Sequence, residues 1–558
     1  MSDTSTRPRR PFVRPLPLAA ALRLGRPSET WFKPALSVVV ASAVPHLKLL
    51  VLGRLDLVMY TMAGSLCALY GHGLPYARRA RTVGGVVLAM TAGLAVALVT
   101  ASLTHSTAVL VAVGALLAAA QKAACDAVRI GPPGHVILTF VSSAALFAPQ
   151  RLAQVPAHLA LTLAGGAVAW LVCTGPALVR REGPERRAVA RALEAAADCA
   201  AAPGPRTRHS AAAAVHAAWQ CLLASGRPTP VRRSLERLVV HAESAVASTH
   251  PDDLEQLRAW AVQTRARGPV PEPAAAPGTA AELYGIAAER ASGGLLRGLG
   301  PGSHLLPIAV RTLTGCALAG YLCAAIGAGR PYWAIVTAAS LYQANTTLTW
   351  NRALQRTLGN VLGVLVFAAV LPLSRTGPLA LVLCCLFFNF AAEALITRNY
   401  WLGSVAVTPM ALLVLEFGGA HPAGELIGDR VLDTVLGALA GFLAAALVTN
   451  RRAAGRVERA LQATEKARTE AERSLERPHA ERARARRALT ATLVELREAA
   501  DIAAGEWWQR ALPEQELLAA EQAGHRTLAA TAQRLGPPPR APRTRRGEAA
   551  RAPSIGAA

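Results

Sequence analysis

The chain has 558 residues, is 52% hydrophobic and 17% charged, and carries a formal charge of +24. A soluble chain of this length would divide into several domains. It would not contain a dozen separate apolar runs, each close to the length that crosses a hydrocarbon core of about 30 Å. Dense Arg, Glu and Ala segments alternate with these runs, so the composition excludes an ordinary soluble enzyme and indicates a polytopic membrane protein with large soluble parts.

Residues 1–34 are rich in Pro and Arg and lack the short apolar core and small-residue cleavage site of a signal peptide. They read as a retained, basic cytosolic tail. Apolar spans are expected near 35–52, 55–71, 83–101, 106–120, 134–148 and 157–179, which make a first six-helix unit over 35–179. A second unit, 304–449, is expected to contain spans near 305–327, 331–346, 357–373, 378–396, 400–417 and 431–449. Residues 180–303 and 450–535 read as cytosolic helical domains. Residues 536–558 have the composition of a disordered terminus.

Lys and Arg near span ends set orientation. The tail, Arg78–Arg79–Arg81, Lys122, Arg129, Arg180–Arg181, Arg352, Arg356, Arg398 and Arg451–Arg452 fall on one side. Isolated Arg54, Arg151, Arg330, Arg375 and Arg430 fall on the other. The expectation is a multi-pass cell-membrane protein with both termini cytoplasmic, its bilayer contacts including anionic headgroups at Arg352 and Arg356.

Arg81-Thr82-Val83-Gly84 repeats as Arg356-Thr357-Leu358-Gly359 at an offset of 356 − 81 = 275. At the same offset Ser65-Leu66 falls on Ser340-Leu341. Six spans per unit return the chain to one side, so the two units face the same way. Such parallel repeats pack about an axis along the membrane normal, with a transport path at their interface. The fold class is therefore an all-α polytopic protein of about twelve transmembrane helices in two parallel six-helix repeats, with cytosolic helical domains.

Within the soluble segments, Val231, Leu235, Leu238 and Val239 share one helical face behind a Thr229 cap and Pro230. "GPVPEPAAAPG" is a breaker. Past residue 450 two helices broken at Pro478 are expected, with Leu489, Leu493 and Leu496 as an apolar stripe.

"GRPYWAIVTAASLYQANTTLTWNRALQRTLGNVLG", "NYWLGSVAVTPMALLVLEF" and "RVLDTVLGALAGFLAAALV" resemble the fusaric acid resistance (FUSC) protein-like family, most clearly over about Leu305–Val448. The family pattern of Tyr-Trp at a span start, an Arg-x-x-x-Arg-x-x-Gly turn and Thr-Pro inside a later span falls on Tyr332–Trp333, Arg352/Arg356/Gly359 and Thr408–Pro409. Asn360 departs from it, standing where the family has Thr. The resemblance implies two sixes of spans and efflux of aromatic or other organic acids. A more distant likeness to plant malate channels keeps an anion conduit in view.

An exported carboxylate needs a cation with matching geometry, and the guanidinium fork supplies one. Arg81, Arg352 and Arg356 are the candidates, Arg81 and Arg356 forming a positive ring at the cytosolic mouth. Topology enforcement is their plainer role. Tyr332, Trp333, Tyr400 and Trp401 could contact an aromatic substrate or serve as an interfacial belt. Tyr342, Gln343 and Asn345 could line a path. Asn389 and Glu393 share a helical face. Glu393 is the proton-coupling candidate because an acid within a span is a functional hypothesis by default. It could instead snorkel or pair with Arg398. Gln121, Lys122 and Asp126 are an imperfect echo in the first unit. Arg311 reads as snorkelling, Gly359 and Gly363 as a close-packing GxxxG, and Thr408–Pro409 as a kink or an exposed carbonyl in the path.

The sequence offers no nucleophile–base pair, phosphate loop, cofactor motif or metal constellation, and its nine Cys are scattered without ligand spacing. No nucleic-acid partner is expected. The expected partners are the bilayer, a small organic anion and a homo-oligomeric copy. The leading function is a proton-driven inner-membrane exporter of organic, chiefly aromatic, carboxylic acids. The alternatives are a passive organic-anion channel and a membrane-anchored scaffold acting through its helical cytosolic domains.

Overall fold

The computed structural model describes residues 21–25, 31–128, 130–225, 229–247, 254–266, 268–272, 305–327, 330–343, 345–448, 452–504 and 513–533. The tail through residue 20, most of the breaker and the 536–558 terminus lie outside them. The described residues form nineteen α-helices and no strand, and the chain is an all-α polytopic membrane protein.

The first unit contains α1 (Phe32–Val51), α2 (Val58–Ser65, between 3-10 turns Leu55–Leu57 and Leu66–Leu69), α3 (Tyr76–Leu103), α4 (Thr107–Ala127), α5 (Val136–Leu146) and α6 (Val155–Thr174). The second contains α11 (Leu305–Ala325), α12 (Pro331–Leu341), α13 (Thr346–Ser374), α14 (Pro378–Ile396), α15 (Tyr400–Glu416) and α16 (Ala423–Leu447). Every expected span has a helix, but among the described residues only eight are long and apolar enough to cross a membrane. The four shorter elements are the second and fifth of each unit.

Local chemistry explains the shortening. The turn after Leu69 ends in an extended Tyr70 at φ −94°, ψ 150°, and α12 ends at an extended Tyr342 at φ −65°, ψ 110°. Asn345 then starts α13, its side chain accepting from Leu348 N at 2.8 Å, which is an ordinary N-cap. The eleven residues of α12 rise only about 16 Å, half a hydrocarbon core. All of them are buried. Helix ends short of the interface are tolerated where protein, not lipid, surrounds them.

The two units use the same internal contacts. In each, the second helix packs on the sixth, the third on the fifth and sixth, the fourth on the fifth, and the first on the second and sixth. Between units, α1 packs on α14 and α11 on α4. The first helix of each unit thus meets the fourth of the other, as a pseudo-two-fold requires. Small residues set the α2–α6 approach: a Cβ on Gly64 would lie 2.0 Å from Thr162 O and 2.4 Å from Gly166 N. In the second unit Gly441 packs on Ala338 and Gly437 on the Ala334 carbonyl. Gly166 and Gly441 are separated by 441 − 166 = 275 residues, the spacing already visible in the sequence repeat.

Both sixth helices lead into helices that are not among those long and apolar enough to cross a membrane. These are α7 (Gly183–Ala201), α8 (Pro205–Ala224), α9 (Pro230–Ala247) and α10 (Leu254–Arg265), and then α17 (Arg452–Arg473), α18 (His479–Ala504) and α19 (Glu514–Gln533). Arg232 N donates to Thr229 Oγ1 at 3.2 Å, so α9 starts at the expected cap. Leu235, Leu238 and Val239 are fully buried, as are Leu489 and Leu496. The chain breaks at Pro478 as expected, and α19 is an additional helix. It packs on α9, while α18 packs on α8. One bidentate pair crosses this junction: Arg486 Nε and Nη2 donate to Glu243 Oε1 and Oε2 at 2.8 and 3.0 Å, with side chains 1% and 9% exposed.

Removing one partner of such a buried pair leaves the other charge uncompensated. Arg486→Ala is expected to destabilise the soluble junction by about 3–5 kcal/mol. The Arg486→Met, Glu243→Leu double variant should recover most of that loss. Hydrogen exchange across α8, α9 and α18 reads both.

Candidate functional site

The four short elements converge where the units meet. They and α3 enclose a cavity of ≈ 30 Å³, lined by Met59, Tyr60 and Leu66 of the second element, Phe140 and Ala144 of α5, Tyr332 and Trp333 of α12, and Ala411 and Leu415 of α15. Its walls are almost wholly apolar and carry four aromatic rings. Phe140 stacks on Trp333 across the interface at 5.5 Å between centroids. Room of this size admits water, not an aromatic ring.

Arg430 does not line this cavity but packs on the ring of Trp333, which does. The sequence reading put it in a loop on the far side. The last helix instead begins at Ala423, because Glu425 and Asp429 extend its polar first turns. Arg430 is therefore two turns inside α16, only 1% exposed. Its guanidinium lies 3.8 Å from the centroid of the Trp333 ring. Nε and Nη1 have no acceptor among the described residues. Asp433, one turn on, is 0% exposed. Its Oδ1 accepts from Cys323 Sγ at 2.7 Å and its Oδ2 has no donor. The Arg430–Asp433 ion pair that this spacing allows is not formed. A cation–π contact is worth about 2 kcal/mol when desolvated, well short of the several kcal/mol that burying an unpaired ion costs.

Arg356 and Arg352 lie one layer nearer the soluble helices. Arg356 is 5% exposed, donates from Nη1 to Tyr400 Oη at 2.8 Å and leaves Nε without an acceptor. Arg352 covers the other side of Tyr400, its guanidinium 3.8 Å from the ring centroid. The amino-terminal residues 21–25 seat against the same end: Gln355 donates to Ala21 O at 2.6 Å, Asn399 to Arg23 O at 2.9 Å and Trp401 to Leu22 O at 3.4 Å. Trp401 thus holds the tail, whereas Tyr332 and Trp333 are buried at the inter-unit interface rather than in a lipid-facing belt.

Thr408 joins a buried polar bridge at mid-helix. It donates to Asn360 Oδ1 at 2.6 Å, and Asn360 Nδ2 donates to Thr434 Oγ1 at 3.0 Å. Asn360 therefore links α13, α15 and α16. Pro409 cannot donate to the Val405 carbonyl, and Gly363 packs against that oxygen, a Cβ there falling 2.9 Å away. Gly359 does the same at Trp401 O, at 2.6 Å, so the GxxxG is a close-packing stripe. Asn389 is buried with only a 4.0 Å contact to Cys385 Sγ. Glu393 is half-buried, and no hydrogen bond or ion pair holds its carboxylate among the described residues. It stands near Tyr70, while the exposed Arg398 accepts Gly25 N at its carbonyl. Arg311 is buried and donates to Val448 O at 2.5 Å. Tyr342 is buried beside Gly315.

The first unit does not repeat this charge pattern. Arg81 is exposed and returns to Ala77 O at 3.4 Å. Arg79 is buried instead, and it donates to the carbonyls of Gly71, His72, Leu74 and Cys173. Arg81 and Arg356, expected to form a symmetric ring, thus sit in different environments, one exposed and one buried. Lys122 pairs with Asp126 at 2.8 Å, and Gln121 bridges Ser142 and Thr139. Three of the far-side arginines are also paired: Arg54 with Asp56, Arg330 with Asp429 and Arg375 with Glu416. Arg81→Ala, at an exposed side chain, should leave stability near the parental level. Arg356→Ala, which strips the donor from Tyr400, should lower stability by about 1.5–3 kcal/mol, read as melting in detergent.

Arg430 and Asp433 were the residues missed from sequence. Their signal was the i, i+3 spacing after an acidic first turn, which makes "ELIGDRVLDT" a continuous helix rather than a loop. Among the described residues no group of three His, Cys, Asp or Glu is placed to hold a metal.

Residues 317–444 match the fusaric acid resistance protein-like family, a stretch that covers α12 to α15, the last nine residues of α11 and all but the last three of α16. Over 186 residues the chain is 30% identical to the uncharacterized membrane protein YvaC of Bacillus subtilis (strain 168), a stretch that is 33% of this chain and 29% of that protein. No solved structure matches.

Proposed function

We propose that this polytopic protein, with its fusaric acid resistance protein-like segment at 317–444, is a cell-membrane exporter of aromatic carboxylic acids, not an enzyme, with both termini cytoplasmic. The observation that carries this reading is Arg430: a desolvated guanidinium with two unanswered donor nitrogens, stacked on Trp333 at the edge of an aromatic cavity between like-facing units. A carboxylate would fill the missing acceptor role with two parallel bonds, while its ring lies along Tyr332, Trp333 and Phe140. Arg356 and Arg352 draw the anion from the cytosolic end, and the Asn360–Thr408–Thr434 bridge couples the helices that must shift to release it.

Energy comes from protons, with Glu393 as the exchanging carboxylate. Uphill uptake of labelled p-hydroxybenzoate into inside-out proteoliposomes, dependent on an imposed proton gradient, supports this reading. Gradient-independent conductance would replace it with a channel, and absence of flux from folded protein with a scaffold. Glu393→Gln is expected to abolish uphill uptake and keep downhill exchange. Unchanged uphill uptake would remove Glu393 from the coupling role.

A further inference from the structure

The soluble junction holds a second cavity, of ≈ 170 Å³, between α8, α9 and α18. Trp219 and His216 line one wall, and Arg484, Arg487 and Thr490 the other, with Glu243 at the base. The acids here are already engaged. Both oxygens of Glu243 receive Arg486, and Trp219 Nε1 donates to Oε2 at 3.4 Å. Glu236 receives Arg232 Nε at 2.9 Å. Arg487, by contrast, lies with its guanidinium 5.2 Å from the Trp219 ring centroid and its buried Nη1 without an acceptor among the described residues. Burial holds the Arg487 guanidinium below its ordinary value, at about 10, so it stays charged at neutral pH although poorly solvated.

We infer that this junction is a binding site for a small organic anion with a carboxylate and a planar ring, the carboxylate on Arg487 and the ring along Trp219. A guanidinium beside an indole face supplies both contacts, and the space far exceeds that of one water. The site is distinct from Arg430 and does not depend on the transport reading. It has a structural consequence. α7–α10 extend from the last helix of the first unit and α17–α19 from the last helix of the second, so an occupant touching both wedges or clamps the two units at their soluble ends. Occupancy would then bias how closely the two units approach each other.

The test is equilibrium dialysis of labelled benzoate against full-length protein in detergent, in the parental chain and in an Arg430→Met background that removes the membrane site. Saturable binding that survives in Arg430→Met is expected. It should weaken about tenfold or more with Arg487→Gln, the loss typical of a hydrogen bond to a charged group, and it should quench the emission that Trp219→Phe removes. Ala491→Trp, which fills the cavity without touching charge, should abolish it. Hydrogen exchange of α18 confirms that each variant is folded. Absence of saturable binding in the Arg430→Met background, or affinity unchanged by both Arg487→Gln and Ala491→Trp, would overturn the inference.

Discussion

Arg430→Met is expected to lower aromatic-acid transport about 10- to 100-fold at limiting substrate, the range for losing a hydrogen-bonded charge pair of about 1.5–3 kcal/mol. The same change should leave the protein as stable as the parent, or more so. The guanidinium is buried with two donor nitrogens unanswered among the described residues, a costly state that an apolar side chain of similar length relieves. Loss of function without loss of stability is the signature of a group kept for binding. Arg430→Lys retains the charge but not the planar fork, so its rate should fall between the two. Rates in proteoliposomes and melting in detergent decide this together. Parental transport by Arg430→Met would remove the residue from the site.

Gly64→Ala is expected to be the most damaging single-methyl change in the membrane part. The added Cβ would meet Thr162 O at 2.0 Å and Gly166 N at 2.4 Å, both main-chain atoms that no rotamer change can move. α2 and α6 would have to part, and since Thr162 Oγ1 also donates to Tyr60 O at 3.0 Å, that separation breaks a buried hydrogen bond. Overpacking of a rigid contact costs about 3 kcal/mol or more at this end of the range. Gly85→Ala is the matched control. A Cβ there meets nothing within 4 Å, and a mid-helix Gly replaced by Ala gains about 0.5–1 kcal/mol. Melting of the two variants in detergent should move in opposite directions.

The twelve elements, their grouping in sixes and their soluble neighbours were legible because apolar runs and breaks at Gly, Pro and Arg report local physics directly. What escaped were properties of assembly. The Arg81/Arg356 match marked true repeat register, yet the two side chains have opposite environments, because the first-unit loop 71–74 turns its carbonyls onto Arg79 instead. Sequence periodicity gave α12 the look of a span, but its early end depends on Tyr342 being drawn in beside Gly315, a contact 27 positions away (342 − 315). Arg430 was misplaced by trusting a charge to mark a loop. Only the Trp333 face, brought from another helix, makes its burial intelligible.

The most direct test of the inter-unit site is thiol accessibility in a chain freed of its native cysteines, with single cysteines at Ala144 and Ala411, one from each unit on the cavity wall. Both positions should react with a small water-soluble thiol reagent in cycling vesicles, and p-hydroxybenzoate should shield both, with Arg430→Met abolishing the shielding. Reaction at either position that the acid leaves unchanged would contradict a route between the two units.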